Sequence, residues 1–157
     1  MTLKDDFQKF IKGLRRDMEK TGQVGPMKIL GNFARDLIRD RTREGFGVKT
    51  QGGYRKKLKA LSKRYIQKRR GMRLSPYTSP SKSNLTLTGS MLESLVFKAG
   101  KGKVTIEPSG RDSKGVSNVK KAEWQEEQGR IFLRLSVTEM KQVTEFYQKQ
   151  ILDKQFD

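Results

Sequence analysis

The chain has neither cysteine nor histidine among its 157 residues. Disulfides, thiolate or imidazole metal sites, a cysteine nucleophile and a histidine base are therefore all excluded. Apolar residues are scarce. The hydrophobic fraction is 33% and the mean hydropathy −0.80, so the core is small for the length. Long apolar runs are missing as well: none approaches the ~20 residues that span a bilayer. The first residues carry Asp5 and Asp6 and lack the apolar run of a signal peptide. The expectation is a soluble chain made in the cytoplasm, with no membrane partner. Finally, no acid occurs between Glu44 and Glu93, a gap that holds twelve Lys and Arg.

What is present is positive charge. The formal net charge is +18 and the isoelectric point about 10.3. Such a balance favours polyanions through steering and counterion release. Nucleic acid, an acidic protein face and an anionic membrane surface all have the required sign.

The length suits one domain, 1–157, in three parts: helical 1–45, a basic helix and mobile loop over 46–84, and a hairpin with two helices over 85–157. Leu3, Phe7, Phe10, Ile11, Leu14 and Met18 recur at spacings of 3 and 4, which predicts an amphipathic helix over 2–20. Thr2 is its expected cap, and Thr21-Gly22 ends it. Pro26 opens a second helix, where its missing N–H costs nothing. Met27, Leu30, Phe33, Ala34, Leu37, Ile38 and Arg41 share one face of that helix. Charges of alternating sign (Arg35, Asp36, Arg39, Asp40, Arg41, Arg43, Glu44) mark a solvated or subunit-facing side.

Phe46–Gly53 reads as a loop. Tyr54–Gly71 reads as a helix with Tyr54, Leu58, Leu61 and Tyr65 on one strip. Its remaining surface is cationic: Arg55, Lys56, Lys57, Lys59, Lys63, Arg64, Lys68, Arg69 and Arg70, with Arg73 just beyond. A charge run is commonly a solvated face. So many cations without counter-charge repel one another, however, and a surface with no anionic partner normally intersperses acids. These ten residues are the expected polyanion- or partner-facing surface. Tyr54, Tyr65 and Tyr77 interleave them and offer faces for base stacking, although Tyr54 and Tyr65 also suit the apolar strip.

Met72–Asn84, rich in Ser, Pro and Thr, reads as an extended, mobile loop. Thr88 is the expected cap of a short helix containing Gly89, Ser90, Met91, Leu92 and Leu95. Ser94–Ala99 and Lys103–Glu107 read as two strands joined by Gly-Lys-Gly. After a loop at Pro108–Ser117, Asn118–Gln128 reads as a helix with Val119, Ala122 and Trp124 packing and Gly129 ending it. Ile131–Leu133 is expected as a third strand. Ser136-x-x-Glu139 is a capping box opening a last helix with Met140, Val143, Tyr147 and Ile151 on one side. The fold class is α+β: N-terminal helices, a small antiparallel sheet with a central hairpin, and a C-terminal helix.

No enzyme chemistry is indicated. Gly100-Lys-Gly-Lys lacks the phosphate-loop spacing, and no GxGxxG follows a strand. Asp36 with Asp40, and Glu123 with Glu127, lie one helical turn apart and offer the carboxylate pairs of a small magnesium-dependent nuclease, the last-ranked alternative, but basic neighbours at helical spacing make them read as surface ion pairs. No serine sits in a nucleophile elbow. No cofactor is expected, and no zinc-finger or RNP signature occurs. A basic surface of this kind contacts backbone charge without reading sequence.

LTLTGSMLESL (Leu85–Leu95), with Leu87, Thr88, Gly89 and Leu92, resembles the Leu-x-x-Thr-Gly-x-Leu-x-x-Ser stretch of the phage virion morphogenesis and tail-completion proteins. In that family the short helix leads into a β-hairpin. Ala122, Gln125, Glu126 and Gly129 resemble its Ala-x-x-(His/Glu)-x-x-Gly segment. Arg130, Phe132, Leu133, Leu135 and Ser136 resemble its Arg-x-Phe-Leu run before a final helix. Two departures stand out: the histidine is absent, and Gly129 adjoins Arg130 where the family has a loop. The resemblance implies a non-enzymatic virion protein of the neck. Such a protein is a tail-completion, tail-terminator or head–tail connector component, forming a homo-oligomeric ring, often hexameric, around the DNA path. Its partners would be other neck and tail proteins and packaged DNA, and its location the virion after assembly in the host cytoplasm. The alternative reading is a free, sequence-nonspecific nucleic-acid-binding protein with 54–73 as a basic arm.

Overall fold

The computed structural model describes residues 24–100 and 103–149, with isolated positions 9, 12, 13 and 16 near the N-terminus. Apart from those four positions, the expected helix over 2–20 lies outside the described residues, as do 101–102 of the hairpin loop and Ile151.

Helix α1 (Gly25–Arg43) is the long element, with Pro26 in its first turn. It buries Met27, Leu30, Gly31, Ala34, Ile38, Arg41 and Thr42 on one face. Two short strands follow, β1 (Phe46–Val48) and β2 (Arg55–Lys57), paired antiparallel with Gly47 opposite Lys56. Helix α2 spans Lys63–Arg70, and α3 is the single turn Ser90–Glu93. Strands β3 (Leu95–Gly100) and β4 (Lys103–Pro108) form a second antiparallel pair, with Leu95 opposite Pro108 and Gly100 opposite Lys103. Helices α4 (Asn118–Glu127) and α5 (Val137–Tyr147) are the last of the described elements. The class is α+β, with two separate two-stranded sheets.

Helix α1 serves two apolar clusters. Its first half packs Met27, Leu30 and Ala34 against Val143 and Tyr147 of α5. Phe33 stacks on Phe146 with centroids 4.2 Å apart. Its second half places Ile38 among Met91, Leu92, Leu95, Ala122 and Phe132. The β3–β4 hairpin lies against the same helix. Gly31 faces the ring of Phe97 so closely that any side chain at 31 would collide with it. The missing Cβ lets the hairpin reach the helix backbone.

Arg41, expected among the solvated or subunit-facing charges of α1, instead enters the interior, where carbonyls and a carboxylate of 132–139 meet its guanidinium. It is 2% exposed. Its Nη1 donates to Glu139 Oε2 at 2.6 Å and to the Arg134 carbonyl at 2.7 Å, and its Nη2 donates to the Phe132 carbonyl. Glu139 is itself tied by the capping box: Ser136 N donates to its carboxylate at 2.7 Å, and Glu139 N donates to Ser136 Oγ at 3.2 Å. Burial lowers the Arg41 pKa from its ordinary value, and Glu139 opposes that by favouring the charged form.

Several expectations are corrected. Ile131–Leu133 is not a strand: the Phe132 carbonyl turns to Arg41 and to Arg134 N, so it cannot serve a ladder. The segment still lends the Ile131 carbonyl to Val48 N at 3.0 Å. Phe46–Gly53 contains β1 rather than being loop throughout. Gly47 faces the Ile131 carbonyl with no room for a side chain, and a three-residue strand centred on glycine carries no alternation signal. Tyr54–Gly71 is not one helix. Residues 55–57 pair with β1, Leu58 N donates to the Gly45 carbonyl, and helix begins only after Ser62, whose Oγ accepts from Tyr65 N at 3.3 Å. The strip Tyr54–Leu58–Leu61–Tyr65 therefore does not exist, and Tyr54 is 86% exposed while Leu58 is buried. Thr88 does not cap α3: the cap position is Gly89, at φ +83°, a left-handed conformation that favours glycine. In α4, Ala122 is buried as expected, but Val119 and Trp124 are exposed. The helix ends at Glu127 with Gln128 as its cap, and Gly129, at φ +77°, turns the chain away just beyond it.

Breaking the Arg41–Glu139 pair leaves a buried cation without its counter-charge. Glu139→Gln should therefore cost about 3–5 kcal/mol in chemical denaturation. The double replacement Arg41→Met with Glu139→Leu should recover much of that loss.

The loop before α4 is organised by Asp112. Its carboxylate accepts from Lys121 Nζ, from Val116 N at 2.8 Å and from Lys114 N at 2.9 Å. The Lys121 hydrogen bond first, then that of Val116, holds its pKa below the usual carboxylate value. A depressed folded pKa gives stability that is present above the unfolded value, about 3.9, and is lost as pH falls through the folded one. The stability difference between the unmodified chain and Asp112→Asn, followed by thermal melts, should thus be full at neutral pH and vanish in acid.

Candidate polyanion-facing surface

Two adjoining elements carry the cations. Strand β2 belongs to a two-stranded ribbon whose outer face is uncovered, so Arg55, Lys56 and Lys57 are all exposed. The connector at 58–62 is held from three sides. Leu58 N reaches Gly45, Ser83 Oγ donates to the Lys59 carbonyl at 2.6 Å, and Arg130 donates to the carbonyls of Lys59 (3.1 Å) and Ala60 (3.3 Å). Helix α2 then presents Lys63, Arg64, Lys68 and Arg70, with Arg73 beyond it.

Nine of the ten expected surface cations are exposed. Arg55 is paired with Glu44 and lies 4.8 Å over the Phe46 ring. Among the described residues, Lys56, Lys57, Lys59, Lys63, Arg64, Lys68, Arg70 and Arg73 form no ion pair. Their charge is thus left to solvent and counterions.

Arg69 is the exception, and its place on the surface is corrected. It is 3% exposed. Its Nη1 donates to the Lys82 carbonyl and its Nη2 to Thr78 Oγ1, both at 3.0 Å. Burial lowers its pKa from the ordinary value. A run of cations gives no sign of which one turns inward. The signal lay in the loop, whose free carbonyls need donors. Asn84, fully buried, does similar work. Its Nδ2 donates to the carbonyls of Arg43 (2.9 Å) and Tyr77 (2.8 Å), and its Oδ1 accepts from Thr78 Oγ1 at 2.7 Å. Residues 72–84 are irregular, as expected, yet tied to α1 and α2 through these two side chains.

The residues that carried the resemblance are mostly structural. Leu92, Ala122 and Phe132 lie in one core cluster with Leu133 packed against it. Gly89 and Gly129 occupy left-handed positions. The Leu87 carbonyl accepts from Ser75 N at 3.0 Å, and Thr88 is exposed beside Ser90. Arg130 alone acts on the basic surface, as the clamp on 59–60.

The remaining carboxylates do not gather. Asp36 is bound by Arg35 and Arg39. Among the described residues, no group of three carboxylates is placed to hold a metal, and no helix is long and apolar enough to cross a membrane.

Since Arg69 anchors the loop, Arg69→Ala should destabilise by about 2 kcal/mol and speed amide exchange over 75–84. Lys68→Ala and Arg70→Ala, on the exposed side of the same helix, should stay within about 0.5 kcal/mol of the unmodified chain. Denaturant melts and hydrogen exchange read both. Comparison with family models, curated proteins and solved structures returns no match for this chain.

Proposed function

We propose that the chain is a structural subunit of a tailed-phage neck, of the tail-completion or head–tail joining kind, assembling as a ring around the path of the DNA. The observation that carries the reading is the row of eight cations that form no ion pair among the described residues, on a segment clamped to the body by Arg69, Asn84 and Arg130. A disordered basic arm needs no such clamps, whereas a subunit surrounding DNA benefits from charges at fixed heights. Contact of this type is blind to sequence and weakens with salt, which suits a duplex that must slide.

Two further features support it. The order short helix, hairpin, helix, Phe-Leu run and capped helix is the one the family resemblance implies. Among the described residues both strand pairs are two strands wide; Ile131 meets the outer edge of β1, while β2 and the second pair leave edge groups open to a neighbouring copy. No catalytic role enters: the function is mechanical and electrostatic.

Purified particles of the phage encoding the chain should contain it in many copies at the capsid–tail junction, seen by electron microscopy. Native mass spectrometry should show oligomers of the chain alone or with a neck partner. Charge reversal at Lys56, Lys57, Lys63 and Arg64 should yield particles defective in joining, while the fold's stability changes by no more than about 0.5 kcal/mol per site. A chain that stays monomeric and is absent from virions, yet binds free DNA with a steep salt dependence, would instead be the free nucleic-acid-binding protein.

A further inference from the structure

The basic surface contains a concavity. It lies between the end of α1 and the 76–82 loop, has a volume of about 500 Å³, and is lined by Arg43, Glu44, Pro76, Tyr77, Thr78, Ser79 and Lys82. Arg55, by its ion pair with Glu44, joins its rim to β2; Arg69, bonded to Lys82 and Thr78, joins it to α2. The two elements that carry the cations thus meet at this point.

Its electrostatics are one-sided. Glu44, the acid in the lining, is occupied by Arg55. The Arg43 guanidinium lies 4.4 Å over the Tyr77 ring, and its Nε is buried with no hydrogen-bond partner. Its nearest carboxylate, Asp40, is 3.9 Å away, beyond hydrogen-bond reach. Lys82 forms no ion pair among the described residues. The Thr78 hydroxyl is spent on Asn84, and Ser79 is a further lining residue. The Arg43 side chain, stacked on Tyr77 and still 24% exposed, lies in the same lining as Lys82, and the two cations together fit an oxyanion with several acceptor oxygens.

The floor is fixed in advance. Asn84 holds the backbone on both sides, at Arg43 and at Tyr77, and Arg69 holds Lys82. An anion entering has no loop to order, so its binding is not opposed by that entropy.

We propose that this concavity is a phosphate-binding site of the DNA-facing surface, in which a backbone phosphodiester sits between Arg43 and Lys82 with Tyr77 as the wall behind the guanidinium. The proposal rests on the reading that the basic surface faces nucleic acid. It adds a fixed point of contact, centred on Arg43, to a surface otherwise made of solvated cations. Inorganic phosphate has the same chemistry and is the competing occupant.

The experiment follows the Arg43 Nε–H resonance of the full chain by NMR while a mixed-sequence DNA duplex, or inorganic phosphate alone, is added. The duplex should shift that resonance saturably. In anisotropy titrations, Arg43→Gln should make the salt dependence of duplex binding shallower by about one unit of slope. Arg43→Lys, which keeps the charge but loses the planar fork, should weaken binding, whereas Lys120→Gln on the exposed side of α4 should not. A shift with phosphate but not with duplex makes this a free-phosphate site and overturns the DNA assignment. No shift with either, or full duplex affinity in Arg43→Lys, overturns the site altogether. The wider reading fails separately, if charge reversal at Lys56, Lys57, Lys63 and Arg64 leaves both duplex affinity and particle assembly unchanged.

Discussion

One guanidinium holds the two halves of this molecule in register. Arg41 extends from the last turns of α1 into the space between that helix and the chain at 132–139. There it satisfies the Phe132 and Arg134 carbonyls, which no strand partner takes, and meets the carboxylate that also caps α5. A charge this deep is costly by itself, and its pairing with Glu139 and the carbonyls is what makes it tolerable. The capping box is therefore more than a local helix start. The same carboxylate fixes α5 to its own N-terminus and to α1, so cap, ion pair and the Phe132 turn stand or fall together.

The cationic face is organised by the same physics at a smaller scale. A chain with so little apolar area cannot bury every connection behind side chains. Its irregular stretches are fixed instead by single polar groups reaching free carbonyls. Arg69 and Asn84 do this for the 76–84 loop, and Arg130 for the connector after β2. Arg69 and Asn84 have little or no access to water, so their hydrogen bonds are worth more than exposed ones and costly to leave unmade, whereas the bonds of Arg130 lie at the surface. The exposed lysines and arginines need no support of their own. Their spacing is inherited from these few donors.

The sequence was most legible where the signal was local. The helix from Gly25, the β3–β4 hairpin, α4 with its glycine stop and the capping box of α5 all follow from caps, glycines and apolar spacing, and their bounds differ little from those observed. It was least legible over 46–71. There, Gly47 and Arg55 give no strand alternation, while Tyr54, Leu58, Leu61 and Tyr65 mimic a helical strip. What decides the outcome is distant: the Ile131 carbonyl waiting for Val48, and the Gly45 carbonyl waiting for Leu58. Site residues divide the same way. Exposure of Lys56, Lys63 or Arg64 could be read from the charge run. The inward turn of Arg69, the pairing of Arg41 and the part played by Arg43 depend on carbonyls and rings from other segments. Arg43 in particular looked like one more member of the alternating charges on α1.

A net charge of +18 also bears on the stability of the isolated fold. The unpaired cations crowd onto β2, its connector and α2, so folding brings together charges that an extended chain keeps apart. That repulsion opposes the compact state. An anionic partner seated against the face removes the opposition, and by linkage it stabilises the fold in proportion to how much better it binds the folded chain than the unfolded one. The clamps matter here again. Because Arg69, Asn84 and Arg130 hold the cations in place before any partner arrives, less of the attraction is spent on ordering the segment. The thin core, the clamped cationic face and the open strand edges thus agree with one another. Each fits the proposed reading, in which the fold is sufficient to shape its surface and an anionic partner on that surface would strengthen it.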